Sequence, residues 1–315
     1  MIMYPEEILR NNWGTTESLK SDELGVNNRV WQVGNQHWLH CYETKDFSRC
    51  QREIRLYDAL QKRAMKESQT WFFPEVVPTL GGEPILHINH AIWRLTRHVP
   101  GKMPSQKQIE LYKNIVVGLG FLHRMLRDLE VGMAVVESTI LYDLSLNLTK
   151  TSSTPKLPIE DSDEKAIQTA TNILSEGIER LHQLPTQLIH GDFSHPNLRV
   201  SEEQSRLIGV IDFEFCSKDP VILDLATPIL TLILRSDYRK PERQIRTLVE
   251  AYESAAEESI ELEDLLLALV VRRMDSYWYH RRCLLEKRSS SEVFGRQLPQ
   301  LRRLINFIEE RWKWL

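Results

Sequence analysis

The chain has only four cysteines, Cys41, Cys50, Cys216 and Cys283, and no two of them stand in a CxxC spacing. That scatter argues against a zinc site and a disulfide framework, and it reads as reduced, mostly buried thiols. Long apolar runs are also missing. The best one, Val221 to Leu234, is interrupted by Asp224 and Pro228, so no segment is expected to span a bilayer. The N-terminus, MIMYPEEILRNNW, carries acidic residues where a secretory leader would carry positive charge before an apolar stretch. A charge excess is lacking too. The formal net charge of −4 gives no broad attraction to nucleic acid or to an anionic membrane. These absences lead to the expectation of a cytoplasmic protein with neither nucleic acid nor membrane as partner. They leave its oligomeric state open.

What is present divides at Pro100-Gly101. Before it, VNNRVWQV and QHWLHCYE are rich in β-branched and aromatic residues and are separated by Gly34-Asn35, a hairpin signal. SRCQREIRLYDALQKRAM places Ile54, Leu56, Tyr57 and Leu60 at helical spacing. EVVPTL and EPILHI flank Gly81-Gly82 as two further strands, and AIWRLTRHV closes the sheet. After the break the pattern turns helical. Ser105 and Gln108 form a capping-box signature ahead of the stripe Tyr112, Ile115, Val116, Leu119, Leu122, Leu126 and Leu129. Residues 150–165 read as a polar loop and residues 166–184 as a helix. Two β-like runs, QLIHGDF and RLIGVIDFEF, interrupt an otherwise helical half. The expected fold is therefore α+β: a small antiparallel-sheet lobe over residues 1–99 and a larger helical lobe over 100–315.

Each of the two late β-like runs ends in a carboxylate. His190-Gly191-Asp192-Phe193-Ser194-His195-Pro196-Asn197 is followed by Val210-Ile211-Asp212-Phe213-Glu214. Phosphoryl transfer needs a carboxylate to orient the attacking hydroxyl and accept its proton, and hard oxygen ligands to hold Mg²⁺ against nucleotide phosphates. Asp192 suits the first role; Asn197 and Asp212 suit the second. These motifs, with Asp219-Pro220 and Asp224-Leu225-Ala226 downstream, resemble the aminoglycoside phosphotransferase, choline kinase and homoserine kinase superfamily, whose fold is protein-kinase-like. The resemblance implies a kinase using Mg²⁺ and ATP or GTP on a small hydroxylated molecule. It implies that His190 and Asp224 support the catalytic loop. It also implies that Arg97-His98-Val99-Pro100-Gly101 is the hinge, with the backbone of residues 96–99, Arg97 and Val99 among them, on the adenine.

The first half departs from that family's pattern. The turn Leu24-Gly25-Val26-Asn27-Asn28-Arg29 stands where a glycine-rich loop would cover the phosphates, with Asn28 and its neighbours offering backbone N–H groups. Glu53 matches the family's helix acid. The strand position that commonly carries its Lys or Arg partner is His40, which a neutral imidazole fills poorly. Two readings follow: a degenerate kinase, or membership of the homoserine-kinase-like branch, whose matching strand also lacks the lysine. Residues 271–315 hold eleven Lys and Arg against five Asp and Glu. Arg273 and Tyr277 from this segment, with His195 and Glu214, are the candidates for acceptor contact; an anionic group such as a carboxylate would suit the arginines. An amino alcohol or hydroxy amino acid of homoserine type is the leading acceptor class. An antibiotic or natural product, a weakly active pseudokinase and a protein Ser/Thr kinase are the alternatives.

Overall fold

The computed structural model describes residues 4–22, 29–43, 47–66, 70–88, 90–105, 109–127, 129, 140–149, 159–203, 206–234 and 241–311. It forms two compact units. Unit 1 comprises Met1–Gly101 together with Ile208–Glu214, and unit 2 comprises Lys102–Leu207 with Phe215–Leu315. The RLIGVIDFEF run, expected in the second lobe, thus contributes most of its length to the first.

Unit 1 is built on an antiparallel sheet. Its strands are β1 (Leu19–Asp22), β2 (Arg29–Val33), β3 (His37–Glu43), β4 (Val76–Val77), β5 (Leu86–Ile88) and β6 (Ala91–Arg97), in the order β1-β2-β3-β6-β4, with β5 also on β6. Alternation along β3 and β6 sorts the side chains by face. Leu39, Cys41, Trp93 and Leu95 join Ile8 and Leu9 of helix α1 (Pro5–Trp13) in one apolar cluster. Tyr42 and Ile92 face the other way and pack with Cys50 of α2 (Phe47–Ala64). Helix α1 and strand β1 were not expected. The helix signals were present: Pro5 at the start, Glu6 and Glu7 in the first turn, and Gly14 ending it in the left-handed region at φ 69°. Residues 208–214 are held in unit 1 by Phe72, whose N–H donates to the Ile208 carbonyl at 2.8 Å, and by the ring of Phe213 against Tyr57 and Phe73.

Unit 2 is helical: α3 (Ile109–Arg127), α4 (Ile140–Thr149), α5 (Asp161–His182), α6 (Ile222–Leu234), α7 (Pro241–Ala256), α8 (Leu262–Leu285), α9 (Ser291–Gly295) and α10 (Gln297–Arg311). Of the expected stripe, Tyr112, Ile115, Val116, Leu119, Leu122 and Leu126 are all fully buried in α3. Helix α5 begins at Asp161, five residues before the expected start, because Asp161, Asp163 and Glu164 favour the positive end of the helix dipole. The short strands β7 (Gln187–Ile189) and β10 (Ser217–Asp219) pair antiparallel, β8 (Leu198–Val200) follows a single 3₁₀ turn at His195–Asn197, and β9 is Leu207–Val210. Among the described residues no helix is long and apolar enough to cross a membrane.

Candidate active site

In unit 2, β7 delivers the chain to His190, and a tight loop follows. Gly191 sits at φ 81°, and a Cβ there would lie 2.1 Å from the carbonyl oxygen of Phe215, so only glycine fits. The loop is braced from α6. Asp224, fully buried, accepts the N–H of His190 on Oδ2 at 2.7 Å and the N–H of Gly191 on Oδ1 at 2.9 Å. Its Oδ2 also meets His123 Nε2 at 3.2 Å, and His123 Nδ1 meets the hydroxyl of Tyr252 at 2.7 Å. Burial alone would raise the carboxyl of Asp224. The hydrogen bond and charge of His123, helped by His190 and Arg272, reverse this and hold it below the ordinary range.

Beyond the glycine, the Asp192 amide donates to His190 Nδ1 at 3.2 Å, which leaves His190 as a buried scaffold of the loop. Asn197 Nδ2 donates twice, to the Asp192 carbonyl at 3.0 Å and to Asp192 Oδ2 at 2.9 Å. These bonds fix which end of the Asn197 amide meets Asp192 and leave the other end, the oxygen, turned away from it. A carboxylate so oriented is equipped to take a proton from a hydroxyl.

The corresponding part of unit 1 was only partly foreseen. Glu53 of α2 is buried, but its cation is not on β3. Arg94 of β6, directly opposite His40 in the β3–β6 register, donates from Nη1 to Glu53 Oε2 at 2.8 Å. Arg94 Nη2 donates to the Tyr42 hydroxyl at 2.6 Å, and the guanidinium lies 5.2 Å from the centre of the Tyr42 ring and 5.7 Å from that of Tyr57. Glu53 Oε1 accepts the Tyr57 hydroxyl and the Phe213 N–H, the latter at 3.2 Å. Burial would raise Glu53; Arg94, with the Tyr57 hydrogen bond, more than offsets it and lowers the carboxyl. His40 shares a 3.0 Å hydrogen bond with Thr96 Oγ1. Burial, then the neighbouring Arg94, push its ring down to about 3, so it is neutral. A signal for Arg94 did exist in the sequence, an arginine inside the apolar run AIWRLTRHV, where an unpaired charge is not tolerated.

Asp212 takes a left-handed backbone, φ 63°, immediately before the Phe213 amide that Glu53 holds. The side chain of Glu214, 5% exposed, pairs with Arg49 at 3.6 Å. In the segment expected to contact adenine, the N–H groups of Arg97 and His98 already donate to the carbonyls of Glu75 at 2.8 Å and Gln36 at 2.6 Å, and the Arg97 side chain pairs with Glu75 in solvent. Adenine contact through those two amides would displace existing bonds. The Val99 side chain is buried. Asn28 lies outside the described residues.

Three of the residues expected at the acceptor lie in unit 2. Arg273 is buried and donates to the side chains of Gln297, Gln300 and Ser276. Tyr277 is buried against Trp278 and Phe294. His195 is buried against the ring of Tyr112. On the same helix, α8, Arg272 and Asp275 pair at 3.4 Å, with 10% and 34% of their side chains accessible. Enough protein surrounds Asp275 for burial to raise its carboxyl. Arg272 opposes that shift, Asp143 reinforces it, Arg282 opposes it and Asp192 adds to it. Asp275 and Arg272 thus share an electrostatic neighbourhood with Asp192, and the sequence reading missed both.

The whole chain is similar to solved structures of small-molecule kinases. A microcompartment-associated aminopropanol kinase superimposes with TM-score 0.72 at 17% identity, covering 97% of this chain and 96% of that one. The GDP and kanamycin complex of APH(2")-IIia gives 0.71 at 15% identity, covering 95% and 97%. Amicoumacin kinase hAmiN, in complex with AMP-PNP, Ca²⁺ and Ami, gives 0.68 at 14%, covering 95% and 93%. No curated protein matches in sequence. The fold is protein-kinase-like and α+β. The model of the phosphotransferase enzyme family, APH, matches residues 18–262, and the chain belongs to that family as a small-molecule kinase.

Proposed function

We propose that the chain transfers the γ-phosphoryl group of ATP or GTP, with Mg²⁺, to a hydroxyl of a small amine-bearing metabolite, an amino alcohol or a hydroxy amino acid of homoserine type. Asp192 orients the acceptor hydroxyl and takes its proton. Asn197 and Asp212 are the metal's protein ligands. The donor set fits Mg²⁺, a hard cation usually bound by one or two side-chain oxygens with phosphates and waters completing the shell. When bound, the metal supplies charge neutralisation at the phosphates. The chain itself supplies the hydroxyl's orientation and, through hinge backbone other than the Arg97 and His98 amides, the adenine contact.

The acceptor class rests on one observation, the Arg272–Asp275 pair in the electrostatic neighbourhood of Asp192. A carboxyl raised by burial gains most from an arriving ammonium, which would hold it ionised. Arg272 offers a fork for a carboxylate. The kanamycin and amicoumacin complexes of the similar structures favour a second reading, an antibiotic kinase. Arg272 and Arg282 beside Asp275 weigh against a polycation. The test is ADP or GDP release with Mg·ATP and Mg·GTP over a panel of amino alcohols, hydroxy amino acids, their deaminated analogues and aminoglycosides. Turnover of the amines, with loss in the deaminated analogues, is the expected result. Equal turnover of deaminated compounds would sink the amine assignment.

A further inference from the structure

The proposed mechanism gives no task to Arg94, the largest fully buried charged side chain among the described residues. It sits in mid-strand on β6, the central strand flanked by β3, β4 and β5, where a charge is retained only if something holds it. Both terminal nitrogens are committed, Nη1 to Glu53 and Nη2 to Tyr42, and two tyrosine rings cover the guanidinium. Only Nε lacks a hydrogen-bond partner, and it is the donor nearest the strand backbone. With both terminal nitrogens engaged and the residue 1% exposed, little of the guanidinium is accessible to a phosphate.

Its partner leads elsewhere. Glu53 gives one oxygen to Arg94 and the other to the hydroxyl of Tyr57 and the amide of Phe213. That amide belongs to the peptide joining Asp212 to Phe213. Fixing its plane fixes ψ of Asp212, the residue at φ 63°. A left-handed non-glycine residue persists only where its surroundings over-determine it. The Glu53 carboxylate provides that constraint, and Arg94 holds the carboxylate.

We propose that Arg94 is a positioning residue that acts through Glu53 on the peptide after Asp212, setting the aim of the Asp212 carboxylate, and that it is not a phosphate ligand. The inference rests on the reading of Asp212 as a metal ligand, and two readouts separate the two ideas. The first is hydrogen exchange at the Phe213 amide, which needs no ligand. The second is binding of ATP with and without Mg²⁺ by calorimetry.

The variants are Arg94→Lys, which keeps the charge but not both terminal bonds, and Arg94→Met with Glu53→Gln, which removes both charges together and avoids leaving one buried alone. In the double variant the Phe213 amide should exchange about tenfold faster or more. Metal-free ATP affinity should stay within about threefold, while the Mg²⁺ concentration for half-maximal enhancement rises about tenfold. Arg94→Lys should fall between the double variant and wild type on both. A fall of more than about tenfold in metal-free ATP affinity, with the Mg²⁺ requirement unchanged, would make Arg94 a phosphate ligand and overturn the proposal. Unchanged exchange at Phe213 would overturn it as well. Faster exchange with an unchanged Mg²⁺ requirement would retain the brace and refute the metal role of Asp212.

Discussion

Two loops in this protein are held by the same device in different surroundings. In unit 2 the Asp192 loop passes through Gly191 at φ 81°, and the carboxylate of Asp224 accepts two of its backbone amides. In unit 1 the Asp212 loop passes through a left-handed residue at φ 63°, and the carboxylate of Glu53 accepts the next amide. Both carboxylates are buried and both lie below their ordinary range, but the groups that keep them there differ. Asp224 relies first on a hydrogen bond from His123, whereas Glu53 relies first on a full guanidinium charge. The first loop has glycine at its strained position; the second has Asp212, the proposed metal ligand, there. A non-glycine residue in an unfavourable backbone conformation needs the stronger anchor, and an ionised Arg–Glu pair supplies a charge-assisted one.

Removing the central group of the first loop should have the largest effect. Asp192→Asn keeps the Asn197 contact region but loses proton acceptance, and a rate loss of about 10²- to 10⁴-fold is expected, with nucleotide affinity little changed. Full activity in steady-state kinetics would take Asp192 out of the mechanism. Next is Gly191→Ala, which combines a disallowed backbone with overlap on the Phe215 carbonyl. A loss of at least about 2 kcal/mol is expected, seen as a lower denaturation midpoint together with reduced turnover. A variant of native stability would mean that the loop has room the structure does not show.

The second loop is best probed at His40. Lysine there would place a second cation directly across the register from Arg94, so His40→Lys should lower stability by roughly 1–3 kcal/mol and impair turnover. Improved nucleotide binding in that variant would show that the site wants a cation on β3 after all. The pH dependence is milder. The folded-state value of His40, about 3, lies below the ordinary imidazole value of 6.5, so between them the unfolded chain binds more protons. The stability contributed by the neutral ring is complete above about pH 6.5 and is lost as the pH falls toward 3. In His40→Asn that slope should flatten by on the order of 1–3 kcal/mol across the window, because the ring keeps some solvent contact and the full shift is not realised. Identical slopes in denaturant melts at pH 4 and 7 would contradict this.

The smallest effects separate two adjacent arginines. Arg272→Met should raise the acceptor KM about tenfold and leave melting nearly unchanged. Arg273→Met should lower the melting temperature by several degrees while KM stays within about twofold. The opposite pattern would reverse the assignment of the two faces of α8.

How far each part was legible follows from sequence separation. The Asp192 loop, its Asn197 partner and the Asp224 brace lie within 34 residues of one another, and their spacing is written in HGDFSHPN and DLA. Strands β2 and β3 and helix α3 were readable because alternation and 3.6-residue periodicity are local. Glu53 and Phe213 are 160 residues apart, and no local pattern joins them. The basic segment was less legible for a related reason. Arginine is compatible with both faces of α8, since Gln297 and Gln300 of α10 accept hydrogen bonds from one buried arginine.

The sequence by itself determined the chemistry available: two carboxylates and an amide at fixed spacing, an α+β chain dividing near Pro100, and a buried-strand arginine that had to be paired. Only the tertiary structure decided which groups meet. The cation for Glu53 comes from β6 because strand pairing sets Arg94 opposite His40. Arg272 pairs with Asp275 on one face of α8, while Arg273 is taken up by Gln297 and Gln300 of α10 on the other. Strand register and helix packing are fixed by the summed burial of many apolar side chains, and the polar residues carried on those elements must take whatever partners that packing brings.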